Sequence, residues 1–218
     1  MKNLVKGLAV IAVLVLFLVM TTTPSVAGVK FGVKGGLTLA NIKSVPETYE
    51  GYKWENKMGL VGGVFAELGL AKGFSLQPEV LYVQKGAKFS FSEGEITGTA
   101  KFNVDYVEIP LLLKYNLISS GLTIPSVYAG PYFGFNTRAR LVFEMEGYPS
   151  EYLELKDEIK NTEFGLAFGA GLVQSLGLVK ITLDARYDLG LSNVIKVVEN
   201  GPESAKTRTW LFMVGVCF

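Results

Sequence analysis

The sequence predicts an all-β protein, an eight-stranded antiparallel up-and-down transmembrane β-barrel with short periplasmic turns and long extracellular loops. Apolar and polar residues alternate along eight segments of the chain, and such alternation is typical of strands. Several segments are longer than the roughly five or six residues common in soluble strands, and they suit the roughly 9 to 11 residues that a tilted strand needs to cross a bilayer. The connections between segments are alternately short and long, as in an up-and-down meander.

Residues 1–27 have the features of a signal peptide. Two lysines precede an apolar run of 13 residues from Leu8 to Met20, and small residues occupy the positions up to Ala27 that a signal peptidase recognises. The run is shorter than the roughly 20 residues of a spanning helix, which argues against an uncleaved membrane anchor. We therefore expect export, cleavage after Ala27 and one barrel domain over residues 28–218.

The composition excludes several functional classes. The 21 basic and 20 acidic residues give a net charge of +1, without the basic excess that nucleic-acid binding usually needs. The chain has no histidine, so a Ser-His or Cys-His dyad and an imidazole zinc site are excluded. Cys217 is the only cysteine, so it has no partner for an internal disulfide. We expect no enzymatic activity, no metal and no cofactor.

The first four predicted strands cover half of the barrel. The first, 29–40, sets lysines and glycines against an apolar face. The second, 58–70, and the third, 74–82, each carry a glutamate on the less apolar face. The fourth, 107–115, sets a glutamate and a lysine against valine, isoleucine, leucine and tyrosine.

The other four strands follow the same rule. The fifth, 127–140, carries tyrosines and then arginines on its second face, and the sixth, 164–172, carries glycines there. The seventh, 179–192, reads VKITLDARYDLGLS, and each of its odd-numbered residues is apolar. The eighth, 210–218, ends the chain with aromatic and valine residues on one face. An even number of strands suits a closed up-and-down barrel.

The connections form two classes. Short turns and long loops alternate, with the turns around 71–73, 118–121 and 175–177 and the loops around 43–56, 86–99, 141–161 and 193–206. The loop at 141–161 is acidic, which favours a solvated surface, with binding of a divalent cation or a protein partner as the alternative. It is also long enough to contain an extra hairpin or a short helix.

The two faces of the strands allow two arrangements. In a soluble barrel of the lipocalin type, apolar side chains fill the interior, whereas in a membrane barrel they face lipid. The polar faces are rich in glycine, which suits a crowded lumen, and the other faces carry long aliphatic and aromatic side chains. This contrast favours the membrane barrel, and a soluble exported carrier of small ligands is the alternative.

With this polarity, the charged side chains lie in the lumen. The predicted set is close to charge balance and consists of Lys30, Lys34, Glu67, Glu79, Glu108, Lys114, Arg138, Arg140, Lys180, Asp184, Arg186 and Asp188. Because side chains fill the interior of an eight-stranded barrel, we expect a structural network of ion pairs, and a proton or ion pathway is the alternative. Pro78, Pro110 and Pro131 fall inside strands, where we expect β-bulges because proline cannot donate to the ladder.

Five motifs together resemble the outer-membrane β-barrel domain of PorT-type proteins. In chain order they read GVKFGVKGGLTLANI, DYVEIPLLLKY, AGPYFG, FGLAFGAGL and RYDLGLSN. The resemblance covers nearly all of residues 28–218 and implies the architecture and an outer-membrane location. The C-terminal residues also resemble the signal by which such barrels are recognised for insertion, namely Trp210, Phe212, Val214, Val216 and Phe218.

The expected role is structural, in binding or in envelope assembly, with a narrow channel as a further alternative. The expected partners are outer-membrane lipid, the barrel-insertion machinery and an unidentified surface or periplasmic protein, without nucleic acid. In the first long loop, Tyr49, Tyr52 and Trp54 are either girdle residues at the lipid interface or adhesive contacts.

Overall fold

A computed structural model describes most of the predicted barrel. The described residues are 29–45, 55–93, 96–118, 120–145, 150–177, 179–196 and 204–218. The predicted signal peptide and the three aromatic residues of the first long loop lie outside them. Within these ranges, no helix has the length and apolar character needed to cross a membrane.

The described residues form nine strands. They are β1 (Val29–Val45), β2 (Lys57–Gly69), β3 (Phe74–Glu93), β4 (Ile96–Asn116), β5 (Thr123–Met145), β6 (Glu151–Glu154), β7 (Thr162–Leu176), β8 (Val179–Gly190) and β9 (Ser204–Cys217). Eight of them form a ring in which each strand pairs with its chain neighbours, and pairing of β1 with β9 completes it. The short β6 lies beside β5. The predicted eight-stranded antiparallel barrel is confirmed.

Because the ring is closed, the backbone of each barrel strand pairs with a neighbouring strand on both sides. Lys34 of β1, for example, lies opposite Gly63 of β2 and Gly215 of β9. In hydrocarbon, each unpaired backbone group costs several kcal/mol. A closed antiparallel ring is therefore the arrangement that allows these strands to lie in a membrane.

The polarity of the strands agrees with the membrane arrangement. Leu183, Phe212 and Val214 are 47%, 52% and 56% exposed on the outer face, whereas Arg186 and Asp188 are fully buried in the lumen. Apolar side chains facing outward and charged ones facing inward contradict the soluble-carrier alternative.

Aromatic rings lie on the outer face at two levels. Towards the extracellular end, the ring centroids of Phe168 and Tyr187 are 5.5 Å apart, and those of Tyr187 and Trp210 are 4.9 Å apart. Next to the periplasmic turns, Phe74 and Tyr115 are 4.7 Å apart. Two such levels are typical of the aromatic girdles at the two interfaces of a membrane barrel.

The periplasmic connections are short, as predicted. In the turn between β2 and β3, Lys72 and Gly73 have φ angles of 55° and 84°. Two successive residues in the left-handed region are what the tightest hairpin turns require.

The extracellular connections differ from the prediction. The predicted loop at 86–99 is wrong, because β3 continues to Glu93 and β4 begins at Ile96. This part of the hairpin lacks a continuous apolar face because it extends beyond the lipid. The region 141–161 contains β6, which pairs with β5 from Arg140↔Glu154 to Phe143↔Glu151. Of the two forms left open for this region, the structure shows the extra hairpin.

The three strand prolines do not produce bulges, so that prediction is wrong. A short gap in one ladder accompanies each proline, and the pairing resumes in the same register for Pro78, Pro110 and Pro131. The register shift between β4 and β5 lies elsewhere, at Asp105/Tyr106. Two missing ladder pairs accommodate a proline that has no N–H to donate.

Candidate functional site in the lumen

The periplasmic half of the lumen contains a continuous polar network. We call it the lower network; its members are Lys30, Lys34, Glu67, Gln77, Glu79, Lys114, Asp184 and Arg186. At its centre, Arg186 donates to Glu79 Oε1 at 2.9 Å, and its second terminal nitrogen lies 2.8 Å from Oε2. Lys34 donates to the same carboxylate at 2.9 Å and lies 3.4 Å from Asp184. Arg186 and Lys34 therefore both pair with the fully buried Glu79 carboxylate. Lys34 also contacts the carboxylate of Asp184.

Glu67 forms the second centre of the lower network. Its two oxygens lie 2.5 Å from the ammonium of Lys30 and 2.7 Å from that of Lys114. Gln77 joins the two centres, because its amide donates to Glu79 at 2.6 Å while its oxygen accepts from Lys114 at 3.4 Å. Buried charges that are paired and hydrogen-bonded in this way avoid most of the penalty of leaving water.

Beyond the lower network lies a second group, the upper cluster. Its members are Lys85, Glu108, Tyr132, Glu163, Asp188 and Thr207. The Lys85 ammonium lies 2.5 Å from Glu108 and 3.3 Å from Glu163. Tyr132 donates to Glu163 at 2.7 Å, and the Thr207 hydroxyl donates to the same oxygen. One ammonium thus pairs with two of the three carboxyl groups in the cluster.

Two charged members of the upper cluster, Lys85 and Glu163, are absent from the predicted set, as are the uncharged Tyr132 and Thr207. Both charged residues follow the period-2 pattern of their strands: Lys85 continues the inward face of Glu79, and Glu163 precedes the inward glycines of β7. The predicted strands 74–82 and 164–172 end just short of these residues. Extending the alternation by one to three residues would have found them.

The structure brings most of the predicted lumen residues together and moves two of them outside. The predicted lumen position is wrong for Arg138 and Arg140, whose side chains are 52% and 37% exposed. The register shift opposite Asp105/Tyr106 adds Thr137 to β5, and an extra residue turns every following side chain to the other face. Lys180 is half-buried at the start of β8, beside the periplasmic turn.

An apolar plug closes the extracellular mouth. It consists of Ile42, Ala87, Phe102, Val104, Tyr106, Ala139, Ile159, Val194 and Ala205. Two loop segments lie across the mouth, because the Lys160 amide donates to Val194 at 2.8 Å and the Lys196 amide donates to Glu158 at 2.9 Å. The ammonium of Lys156 donates to the side chain of Asn136 at 2.5 Å, and burial lowers its pKa.

Inward glycines make room for the lumen tyrosines. A Cβ at Gly165 would lie 2.5 Å from ring carbons of Tyr132, and one at Gly169 would lie 2.9 Å from the hydroxyl end of Tyr128. Both tyrosines are buried. The glycine-rich face of β7 is therefore required by the rings that fill the lumen.

The filled lumen leaves little space. A cavity of about 10 Å³ lies in the lower network beside Lys34, Gln77, Lys114 and Asp184, which is about the room that one water molecule needs. Within the described ranges, acidic and cysteine residues form no group placed to hold a metal ion.

The C-terminal residues predicted as an insertion signal share the outer face of β9. Trp210, Phe212, Val214 and Phe218 are exposed there, and Val216 is half-buried. The backbone of Phe218 pairs with that of Phe31, and its amide donates at 2.9 Å. This face is available to lipid or to another protein.

The closed ring, the apolar outer face and the packed polar lumen define a class, the transmembrane β-barrels. The family model for the outer membrane protein beta-barrel domain matches residues 22–196. The chain belongs to this family, and the protein is located in the outer membrane, in contact with its lipid.

Several solved outer-membrane barrels are similar to the chain. The attachment invasion locus protein Ail of Yersinia pestis is 17% identical, with 87% of this chain and 98% of that chain covered and a TM-score of 0.42. OprG of Pseudomonas aeruginosa is 14% identical, with 86% of this chain and 94% of that chain covered and a TM-score of 0.48. Outer membrane protein W of E. coli is 12% identical, with 87% of this chain and 96% of that chain covered and a TM-score of 0.43. At these values the likeness carries no inference about function. Among curated proteins, none matches the chain.

Proposed function

We propose that the chain is a non-conducting, non-enzymatic barrel that acts at the cell surface, in a structural or binding role. The observation that carries the proposal is the filled lumen. The apolar plug covers the extracellular mouth, and the two charged groups occupy the space below it. Ions need a continuous wet path to cross a pore, and these side chains take up that path.

The extracellular hairpins provide the surface for this role. The β3–β4 and β5–β6 hairpins extend the barrel wall beyond the lipid, and Tyr152 and Leu153 are 64% and 55% exposed on β6. The guanidinium of Arg140 lies 4.9 Å from the Tyr152 ring. An exposed aromatic residue held beside arginine is typical of the residues that dominate protein–protein binding.

Planar-bilayer recording tests the lumen part of the proposal. The purified barrel is expected to give no conductance steps, while a conducting barrel reconstituted in the same way gives them. Reproducible steps from the folded protein would establish a narrow channel instead.

Complementation of a deletion strain tests the surface part. The deletion is expected to make cells sensitive to detergent. A double substitution, Tyr152→Ser with Leu153→Ser, is expected to leave the barrel folded but to fail in restoring detergent resistance. The control, Leu117→Ser with Ile118→Ser, changes exposed apolar residues at a periplasmic turn and is expected to restore it. Equal restoration by both variants would place the function away from the hairpins.

Three further parts of the proposal are supported by the sequence. They are cleavage after Ala27, recognition of the C-terminal residues by the insertion machinery, and membership of the PorT-type subgroup. An N-terminal sequence beginning at Gly28 in the purified protein would support the first. The proposed protein partner binds the hairpins if it is a surface protein and the short turns if it is periplasmic, and no nucleic acid takes part.

A further inference from the structure

The upper cluster has more acidic than basic groups. Glu108, Glu163 and Asp188 are at most 1% exposed, and Lys85 is the cation that pairs with Glu108 and Glu163. The nearby Arg186 is committed to Glu79 through two contacts of 2.9 and 2.8 Å. If all three carboxyl groups were ionised, the cluster would carry two uncompensated negative charges away from water.

Asp188 provides a second, independent observation. Neither of its carboxyl oxygens accepts a hydrogen bond from any residue that the structure describes, and the same holds for the hydroxyl of Thr209, which lies directly opposite on β9. Asp188 lies on the inward face of β8 between Arg186 and Gly190, and a Cβ at Gly190 would lie 2.8 Å from Glu163 Oε1, so Asp188 belongs to the cluster. Among the charged groups that act on it, Arg186 comes first, followed by Lys85 and Glu163. A fully buried carboxylate without a donor is costly, and such a group neutralises instead.

Six strands contribute polar groups that face the three carboxyls. These are Lys85 and Glu79 on β3, Tyr106 on β4, Tyr132 on β5, Glu163 on β7, Arg186 on β8, and Thr207 and Thr209 on β9. Lys85 and Arg186 are the cations in this set, and Arg186 already forms an ion pair with Glu79. Donors from Tyr132, Thr207 and Lys85 all converge on Glu163, which leaves few for the other two carboxyls.

We propose that Glu108 and Asp188, buried in the cluster with Lys85 and Glu163, together form a proton-binding site that holds a proton at neutral pH. Interacting carboxyls titrate as a unit, so the proton belongs to the pair. The site goes beyond the surface role and does not depend on it. It makes the folded barrel a protein whose stability responds to pH.

The direction of this response follows from linkage. In the unfolded chain, glutamate and aspartate lose their protons near about pH 4. The folded cluster therefore binds more protons than the unfolded chain at neutral pH, so its contribution to stability is present at acidic pH and is lost as pH rises. One bound proton corresponds to a change of about tenfold per pH unit in the folding equilibrium constant.

Unfolding in urea at several pH values, with the full chain in detergent micelles, tests the site. Between about pH 5 and pH 9 the folding equilibrium constant of the wild type is expected to fall. Glu108→Gln and Asp188→Asn each remove a titrating carboxyl while keeping its shape, so each is expected to flatten the slope. The control, Glu67→Gln, weakens the pairs with Lys30 and Lys114, and it is expected to lower stability at every pH with an unchanged slope.

Infrared spectroscopy of the folded wild type supplies a readout that needs no variant. A protonated carboxyl has a carbonyl stretch that carboxylates lack, and this band is expected at neutral pH and should disappear at alkaline pH. In Asp188→Asn or Glu108→Gln it is expected to weaken. A wild type without the band at neutral pH, or with a stability that does not change with pH, would overturn the proposal, as would slopes unchanged in both variants.

Discussion

Arg186 on β8 and Glu79 on β3 form a two-point ion pair across the lumen, with contacts of 2.9 and 2.8 Å, although 107 positions separate them in the chain. Their strands are not neighbours, since β2, β1 and β9 lie between them in the ring. The pair therefore ties opposite walls of the barrel together. Both side chains are buried, so neither has water as a substitute partner.

Loss of this pair is expected to be strongly destabilising. Glu79→Ala leaves the buried Arg186 and Lys34 without the carboxylate that pairs with both of them. Removal of one partner of a buried ion pair lowers the free energy of unfolding by about 3 to 5 kcal/mol. The midpoint of unfolding in urea measures the change. Glu144→Ala is the control, because its pair with Lys101 is half-exposed and is worth about 0 to 1 kcal/mol. Equal effects of the two substitutions would refute a special role for the lumen pair.

A methyl group at Gly165 is expected to disturb the packing of the lumen. Its carbon would lie 2.5 Å from the Tyr132 ring and 2.5 Å from the backbone oxygen of Leu189, and overpacking of this kind costs about 1 to 3 kcal/mol. Gly165→Ala should therefore lower the temperature at which the folded form loses its faster gel mobility. Gly62→Ala is the control, because its Cβ would lie 3.7 Å from the backbone oxygen of Lys34, an ordinary van der Waals distance. If Gly62→Ala lowers that temperature as much, loss of strand flexibility explains both effects.

A charge on the outer face is expected to destabilise the inserted barrel. Val214 is exposed on the outer face, midway along the chain between the exposed aromatic residues Trp210 and Phe218, and arginine at the midplane of a membrane barrel costs about 2 to 4 kcal/mol. Val214→Arg should reduce the heat-modifiable, membrane-bound form. Leu153→Arg, on β6 beyond the lipid, is expected to change stability by less than about 0.5 kcal/mol. A Val214→Arg barrel as stable as the wild type would show that this face does not contact acyl chains.

The terminal aromatic residue is expected to affect assembly more than stability. Phe218→Ser removes the exposed side chain that directly follows β9 but leaves the backbone pairing with Phe31 available. Cells producing this variant should accumulate unfolded protein, while protein refolded in detergent should unfold at nearly the wild-type urea concentration. Leu117→Ser, which removes an exposed apolar side chain at a turn, is expected to assemble normally. Normal assembly of Phe218→Ser would remove this residue from the insertion signal.

Alternation along single strands predicts a large part of the lumen. Glu79, Lys114, Asp184 and Arg186 face inward in the structure, because two chemically different faces leave one register that keeps charges out of lipid. Lys85 and Glu163 lie at the ends of such patterns, where polar residues on both faces hide the alternation. β6 is short and exposed on every residue, so it has no apolar face to detect.

The sequence by itself determined the number of barrel strands, their outward apolar faces and the membrane as their solvent, because these depend on local alternation and on the chemistry of each face. Only the tertiary structure decided which charges meet. Partners such as Lys34 and Asp184 are 150 positions apart, and their distance depends on the stagger of all the strands between them. The bulge at Thr137 turned Arg138 and Arg140 outward, because one extra residue reverses every side chain after it.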